Sequence, residues 1–284
     1  MTISVIGKKK QVKKSFEELL ADLTTSSSEK VRYNAARVLG EMGDSKAVEP
    51  LIDVLRNDKN GSVRLYAARA LGELGDSKAT EYLIESLRED RNVDVRVRAA
   101  RALGRLGGKI VVEPLVEALN DENPQVCITA TDALIEIGDV TTDALIASLT
   151  HEKVNVRCDA TRALGEIGNK KAVDHVIKML YDEWVNVRIY AVTSLGKLND
   201  VKAVPALIEV MKNEKENELV RAGAAAALGV LRDQRALLPL RELIMNAEEL
   251  GELEDTALKS FKKIMAANWQ SIPGASIQKK AATV

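Results

Sequence analysis

The sequence repeats at a period of about 31 residues, and this period restricts the folds open to the chain. In each copy a valine, here called the anchor, is followed by alanine at four residues, Leu-Gly at eight and nine, and an aliphatic residue at eleven. The anchors are Val31, Val63, Val95, Val126, Val156, Val187 and Val220, spaced 32, 32, 31, 30, 31 and 33 residues apart. A degraded eighth copy begins at Leu253. Such periodicity predicts structural units that bury their apolar faces only by stacking on their neighbours.

Each copy has the pattern of two helices. At about 100° per residue, the anchor and the three apolar positions after it fall within an arc of about 80°, which predicts one amphipathic helix. Gly-Asp at twelve and thirteen residues after the anchor predicts its end, and a second amphipathic run follows, as in residues 47–55. Upstream of the first anchor, Ser15 and Glu18 have the spacing of a capping box. Asparagines stand at predicted N-caps: Asn60, Asn92, Asn123 and Asn217.

The segment VRYNAARVLGEMGDSKAVEPLIDVL, residues 31–55, resembles the short HEAT-like repeats of the phycobilin lyase type, which also occur in bacterial and archaeal scaffold proteins. The resemblance extends over roughly residues 15–265. It implies an all-α fold, an α-solenoid of about eight HEAT-like helix pairs. It also implies that the anchor helices line a concave side. Because the same repeat serves unrelated tasks, the resemblance does not fix the function.

Composition narrows the function classes. The 41 basic and 42 acidic residues give a formal net charge of −1, so no global attraction to nucleic acid or anionic lipid is expected. Cys127 and Cys158 lie in helical patterns, which predicts reduced thiols and a cytoplasmic location. No segment has the length and hydropathy of a membrane span.

The sequence predicts a solenoid over residues 15–268, a flexible basic arm over 1–14 with five lysines, and a tail over 269–284.

Metal and catalytic sites are not expected. The HEAT-like deoxyhypusine hydroxylase family binds two irons through several His-Glu pairs, whereas this chain has one such pair, His151-Glu152, and one other histidine, His175. His151 stands where other copies have aspartate, so we interpret it as a loop residue. Neither cysteine has a CxxC partner. The sequence therefore predicts no catalytic residue, no metal and no cofactor.

An arginine follows most anchors, and we expect it to be structural. It lies at the edge of the apolar arc, where it can pair with the aspartate thirteen residues after an anchor or with the loop aspartate before one. These arginines are Arg32, Arg64, Arg96, Arg157, Arg188 and Arg221. The fourth copy has Cys127 instead, and it also has Ile135 in place of the mid-helix glycine. We expect either altered packing at this joint or acids that face something else.

The candidate binding face consists of the positions three, six and ten residues after each anchor, which cluster within about 60° on the helix. Their formal charges are +3 in copy three, −2 in copy four and −1 in copy five. The candidate partner-binding residues are Tyr66, Arg69, Arg98, Arg101, Arg105, Asp132, Asp159, Arg162 and Tyr190. Two interpretations remain open. Arg98, Arg101 and Arg105 either neutralise Asp132, Glu136 and Asp159 across the groove, or the two charged regions together bind a protein partner.

We therefore expect a non-enzymatic cytoplasmic scaffold, adaptor or assembly factor that binds a protein in the concave groove. The alternative is a lyase-like or chaperone-like subunit acting on a cofactor-bearing protein, with Tyr66, Tyr190 and Trp184 as chromophore neighbours. Nucleic-acid binding is a third possibility, disfavoured by the mixed charge of the groove and by an aromatic content of only 3%.

Overall fold

The computed structural model describes residues 14–246 and 251–269, and within these ranges it contains helices and turns but no strand. Nearly all of the predicted arm (1–14) and tail (269–284) lies outside the described residues. The α-helices are α1 Phe16–Thr25, α2 Glu29–Met42, α3 Val48–Asn57, α4 Gly61–Leu74, α5 Thr80–Glu89, α6 Val93–Leu106, α7 Val112–Glu117, α8 Pro124–Ile137, α9 Thr142–Ser148, α10 Val154–Ile167, α11 Val173–Met179, α12 Val185–Leu198, α13 Val204–Lys212, α14 Glu218–Leu231, α15 Leu237–Asn246 and α16 Glu252–Trp269.

The even-numbered helices are the predicted anchor helices, and the signals that bound them are confirmed. The Asn60 side chain accepts hydrogen bonds from the N–H groups of Ser62 and Val63, at 2.8 and 3.4 Å, which caps α4. Gly75 ends α4 in the left-handed region, at φ 69°. In the sixth and seventh copies Asn199 and Arg232 adopt that conformation instead, at φ 49° and 54°. From α2 to α14 each anchor helix begins two residues before its anchor and ends eleven residues after it.

The chain divides into two compact units, one ending at Leu106 and the other starting at Gly107. Unit 1 contains α1–α6 and unit 2 contains α7–α16. In each unit the anchor helices form one layer and the odd-numbered helices form another, with the core between them. The alanine four residues after the anchor is almost completely buried in every copy, as Ala67 and Ala160 show. This layered stack of helix pairs is the α-solenoid fold that the sequence predicts.

Successive anchor helices approach each other closely at the glycine nine residues after the anchor. A β-carbon built on Gly40 would lie 2.8 Å from the Ala70 Cα, and one on Gly165 would lie 2.7 Å from the Ser194 Cα. No side chain fits at such a distance, so only glycine permits this spacing. The fourth copy has Ile135 at this position, and α8 and α10 pack less closely than α10 and α12 do.

The arginine after the anchor joins successive repeats, as expected. Arg64 binds Asp90 through two hydrogen bonds of 2.7 Å, and its third nitrogen donates to the Asp58 carbonyl oxygen at 2.9 Å. Arg32 with Asp58 and Arg157 with Asp182 repeat this geometry, and in all three pairs both side chains are buried. We call this arrangement the staple.

The acid of the staple is the loop aspartate that precedes the next anchor. The alternative partner, the aspartate thirteen residues after the anchor, has a different role in the described copies. Asp44 and Asp76 cap short 3-10 turns by accepting from the N–H groups of Lys46 and Lys78, both at 2.9 Å. The interpretation that this second aspartate pairs with the arginine is therefore wrong.

Candidate functional site

The positions three, six and ten residues after the anchors form a surface that we call the open face. From α2 to α14 every one of these residues is at least partly exposed except Thr129, which is 4% exposed. The hydroxyl of the buried Thr129 donates to the Gln125 carbonyl oxygen at 2.8 Å, within its own helix, and is thereby satisfied. The open face therefore presents the predicted side chains to solvent in both units.

In unit 1 four predicted arginines line one pocket of ≈ 180 Å³, here called the arginine pocket. They are Arg69 on α4 and Arg98, Arg101 and Arg105 on α6. Arg69 forms an ion pair with Glu73, since its Nε donates to the Glu73 carboxylate at 2.8 Å, and this hydrogen bond raises the pKa of Arg69. Among the described residues no carboxylate forms an ion pair with the other three arginines.

The fifth predicted residue of unit 1, Tyr66, takes part in an internal contact. Its ring stacks on that of Tyr33, with centroids 5.2 Å apart and planes 20° apart. Tyr33 lies two residues after its anchor, outside the open face, so the stack joins an open-face residue of α4 to a neighbouring residue of α2.

In unit 2 the structure brings three predicted residues together. A guanidinium nitrogen of Arg162 lies 3.4 Å from Asp132 Oδ1, and Arg162 Nε lies 4.0 Å from Asp159 Oδ1. Burial raises the pKa of Asp159, the charge of Arg162 opposes this rise, and the charge of Asp132 adds to it. Both acids thus have a cation within their own unit.

The remaining predicted residue, Tyr190, lies with Asp159 in a cleft of ≈ 510 Å³ beside α8, α10 and α12, here called the Cys127 cleft. The other lining residues are Asp121, Glu122, Pro124, Cys127, Ile128, Asn155, Cys158, Asn186 and Ile189. Ile128 is 46% exposed and Tyr190 is 39% exposed, so apolar surface faces solvent here.

Sequence reasoning missed Ile128, Cys158 and Ile189, all two residues after an anchor. At about 100° per residue that position lies about 40° from the one six residues after the anchor, so a wider arc would have included it. Little in the sequence signals a cleft here, because copies two and three also have an aliphatic residue at this place, Leu65 and Val97.

The joint between α8 and α10 lacks the staple because both of its partners are replaced. Cys127 stands in place of the arginine, and its thiol reaches only the carbonyl oxygens of Asp121 and Asn123, at 3.3 and 3.6 Å. His151 stands in place of the loop aspartate, and its Nδ1 accepts from the Lys153 N–H at 3.0 Å. His151 thus retains the turn of the loop without an ion pair. Of the two expectations for this joint, altered packing is the one that the structure shows.

The two thiols of the cleft are weakly acidic. Burial raises the pKa of Cys158 to about 11, and the charges of Asp159 and Asp182 add to this effect. Burial and the same Asp159 carboxylate also raise the pKa of Cys127. Both are therefore protonated at neutral pH, and a protonated thiol is a poor nucleophile and a poor metal ligand. Within residues 14–246 and 251–269 no group of three or more potential ligand side chains could hold a metal ion.

Comparison with known proteins supports the fold. A protein-family model described as HEAT repeats matches residues 16–104, 80–149, 112–186 and 177–261. No curated protein matches the chain. In the part of the chain that the structure describes, no helix has the length and apolar content needed to cross a membrane.

Three solved structures illustrate the similarity. The karyopherin Kap121p bound to the extreme C-terminus of the protein phosphatase Cdc14p is 15% identical, with 88% of this chain and 34% of that chain covered and a TM-score of 0.66. Importin beta is 12% identical, with coverage of 88% and 41% and a TM-score of 0.63. The CpcE–CpcF complex of phycocyanin lyase from Nostoc sp. PCC7120 is 25% identical, with coverage of 93% and 100% and a TM-score of 0.47. Since the family model matches most of its length, the chain belongs to the HEAT-repeat family.

Proposed function

We propose that the chain is a non-enzymatic cytoplasmic scaffold that binds a protein partner on its open face. The observation that supports this best is the arginine pocket, where Arg98, Arg101 and Arg105 line one cavity without an ion-pair partner among the described residues. Like charges three and four residues apart on a helix repel each other. A binding protein that presents acidic side chains would relieve this repulsion.

The open face is also proposed to be the concave side of each unit. Anchor helices pack on one another more closely than the odd-numbered helices do, as α2 with α4 and α1 with α3 show. A stack bends toward its more closely packed layer, which favours a groove lined by the open face. The Kap121p complex supports the idea that such a stack can hold a protein segment, since its partner is the extreme C-terminus of Cdc14p.

The test is charge reversal by the double substitution Arg98→Glu and Arg101→Glu. Because exposed charges contribute at most about 1 kcal/mol each to folding, the melting temperature should change by less than about 4 °C. Binding to a partner captured from the native host should weaken at least about tenfold, since charges desolvated at an interface have larger effects than exposed ones. The affinity is measured with purified partner by titration calorimetry.

A matched control reverses two cations outside the open face, Lys46→Glu and Lys78→Glu. Both lysines are exposed and lie in 3-10 turns, so the change in net charge is the same and binding should be retained. Equal loss of binding in both double variants would show a general charge effect and contradict the assignment of the open face. Unfolding of the arginine variant, with normal binding by the folded fraction, would show that these arginines are structural.

The alternatives have separate readouts. We expect no change in visible absorbance when a linear tetrapyrrole is added to the chain. A stoichiometric change would favour the lyase-like alternative. We also expect no retention on immobilised RNA or DNA at physiological salt. Steeply salt-dependent retention would favour nucleic-acid binding.

A further inference from the structure

The repeats allow equivalent positions to be compared within one molecule. In unit 1 the ring of Tyr33, two residues after its anchor, stacks on that of Tyr66, three residues after the next anchor. In unit 2 the equivalent pair is Cys158 and Tyr190, which both line the Cys127 cleft, so a thiol stands where unit 1 has the ring of Tyr33. This smaller side chain, together with the less closely packed joint at Ile135, leaves an open volume of ≈ 510 Å³.

The lining of the cleft is apolar on its walls and acidic in charge. Ile128, Ile189 and Tyr190 supply aliphatic and aromatic surface, and the two protonated thiols add to it. Every charged residue of the lining is a carboxylate. Asp159 is half-buried, and its nearest cation, Arg162, stands at 4.0 Å, so a further positive charge beside it would be favourable.

We propose that the Cys127 cleft receives an aromatic side chain from a partner protein, with a lysine or arginine next to it in the partner sequence beside Asp159. The inference rests on the proposed function, because it names the chemistry of the segment that unit 2 binds. The volume lies within the range of about 300 to 1,000 Å³ that is usual for binding cavities. A partner's aromatic ring beside Tyr190 supplies the surface that Tyr33 supplies beside Tyr66 in unit 1, and aromatic anchors dominate many interfaces.

The missing staple is part of this arrangement. In the regular joints the arginine lies across the ends of the anchor helices and binds both its own loop and the next one. A short thiol at position 127 leaves that space free and lines the cleft instead. The fourth copy therefore loses a stabilising ion pair at the place where the cleft opens.

The inference is tested by methyl NMR on the full chain with labelled isoleucines. The probe is the capped tripeptide N-acetyl-Lys-Trp-Lys-amide, compared with Lys-Ala-Lys and Glu-Trp-Glu in the same capped form. The Lys-Trp-Lys probe should shift the methyl signals of Ile128 and Ile189 and bind at least about fivefold more tightly than either comparison probe. The methyl signal of Ile110, an exposed residue of unit 2 outside the cleft, should not move.

Two variants make the assignment specific. Ile128→Ser should lower the affinity for the probe at least about threefold, because it removes apolar wall. Val140→Ser, a matched change at another exposed aliphatic residue, should leave the affinity unchanged. Since both residues are exposed, the fold should be preserved, and far-UV circular dichroism checks this.

The inference is overturned if the probe shifts neither isoleucine, if the alanine probe binds equally well, or if Ile110 shifts as much as Ile128. Capture of the native partner remains an independent readout. If the probe does not bind but the reversal of Arg98 and Arg101 weakens binding of the native partner, the cleft is not part of the binding surface and the proposed function stands. If the probe binds specifically but the reversal of Arg98 and Arg101 has no effect on binding of the native partner, the arginine pocket is not a binding site.

Discussion

At the scale of single residues, the staple and its absence explain the irregular fourth copy. Buried arginine and aspartate stabilise a joint only as a pair, since one ion left alone in a buried site is strongly destabilising, by about 3–5 kcal/mol. This explains why Cys127 and His151 depart from the pattern together: a neutral residue at one site requires a neutral residue at the other.

The first prediction is a double-mutant cycle at this joint. Cys127→Arg alone should lower the free energy of unfolding, because it buries a cation without an acid. His151→Asp alone should also lower it, because it places an acid at the joint without its arginine, although aspartate makes the same turn in other copies. The double variant should recover stability, with a favourable coupling of at least about 1 kcal/mol between the two sites. Urea unfolding followed by circular dichroism measures all four proteins, and additive effects would contradict the staple.

The second prediction compares two carboxylates whose pKa values shift in opposite directions. Burial alone would raise the pKa of Asp58, but hydrogen bonds from Arg32 and the Asn60 N–H outweigh it, and the pKa falls below 3.8. Asp58 therefore stabilises the fold above the unfolded pKa, and this contribution is lost as the pH falls through the folded pKa. Asp58→Asn should destabilise at pH 7 by about 3–5 kcal/mol, and the deficit should shrink in acid.

Asp159 should show the opposite sign. Its folded pKa is raised above 3.8, chiefly by burial, so its contribution favours the fold below the unfolded pKa and is lost as the pH rises through the folded pKa. Asp159→Asn should therefore raise the melting temperature at pH 7, with a gain that vanishes near pH 3. If Asp58→Asn and Asp159→Asn showed the same pH dependence of stability, the net charge of the protein, rather than the local environment of each carboxylate, would determine their effects.

At the scale of helices, the glycine nine residues after the anchor limits the spacing of neighbouring anchor helices at some joints and not at others. A β-carbon on Gly165 would lie 2.7 Å from the Ser194 Cα, whereas one on Gly196 would lie 3.5 Å from Ala227. At the first distance an added β-carbon would force the two backbones apart, whereas at the second it would make an ordinary van der Waals contact. Two glycines at equivalent positions in adjacent repeats thus form a matched pair.

The third prediction follows from these distances. Gly165→Ala should destabilise by about 1–3 kcal/mol through overpacking. Gly196→Ala should be neutral or stabilising by up to about 1 kcal/mol, because alanine is the better helix former. Thermal melts of both variants measure the difference. If both substitutions stabilise, the close approach of α10 and α12 does not depend on glycine.

The helices were predictable from sequence because local chemistry fixes their ends. Asn60 and Gly75 mark α4 without reference to the rest of the fold, and the apolar arc identifies the buried face. The contacts on the open face were less predictable. Asp132 and Arg162 are 30 residues apart in sequence, and their contact depends on the register between two helices. The link between Cys127 and His151 also becomes visible only once the loop aspartate is known to be the partner of the staple.

At the scale of the whole molecule, a net charge of −1 conceals local imbalance. The open face of α6 has three arginines, whereas the Cys127 cleft in unit 2 has only acids among its charged lining residues. A near-neutral chain limits non-specific attraction to nucleic acid or anionic surfaces, while local patches of opposite sign favour a partner with a matching charge pattern. Affinity for the proposed partner should therefore fall as ionic strength rises.

The fourth prediction concerns the repeat as the unit of stability. Removing residues 157–187 joins Val156 directly to Arg188, so an anchor is again followed by its arginine and the repeat frame is kept. In a stack where each repeat contacts only its neighbours, this deletion should leave a soluble, helical protein with a lower melting temperature.

Removing only residues 157–171 leaves a second helix without its anchor helix, exposes apolar surface and should give an insoluble or unfolded chain. Far-UV circular dichroism and size-exclusion chromatography measure both. Loss of folding in the whole-repeat deletion would show that stability depends on contacts beyond adjacent repeats, whereas loss only in the half-repeat deletion is what nearest-neighbour stacking requires.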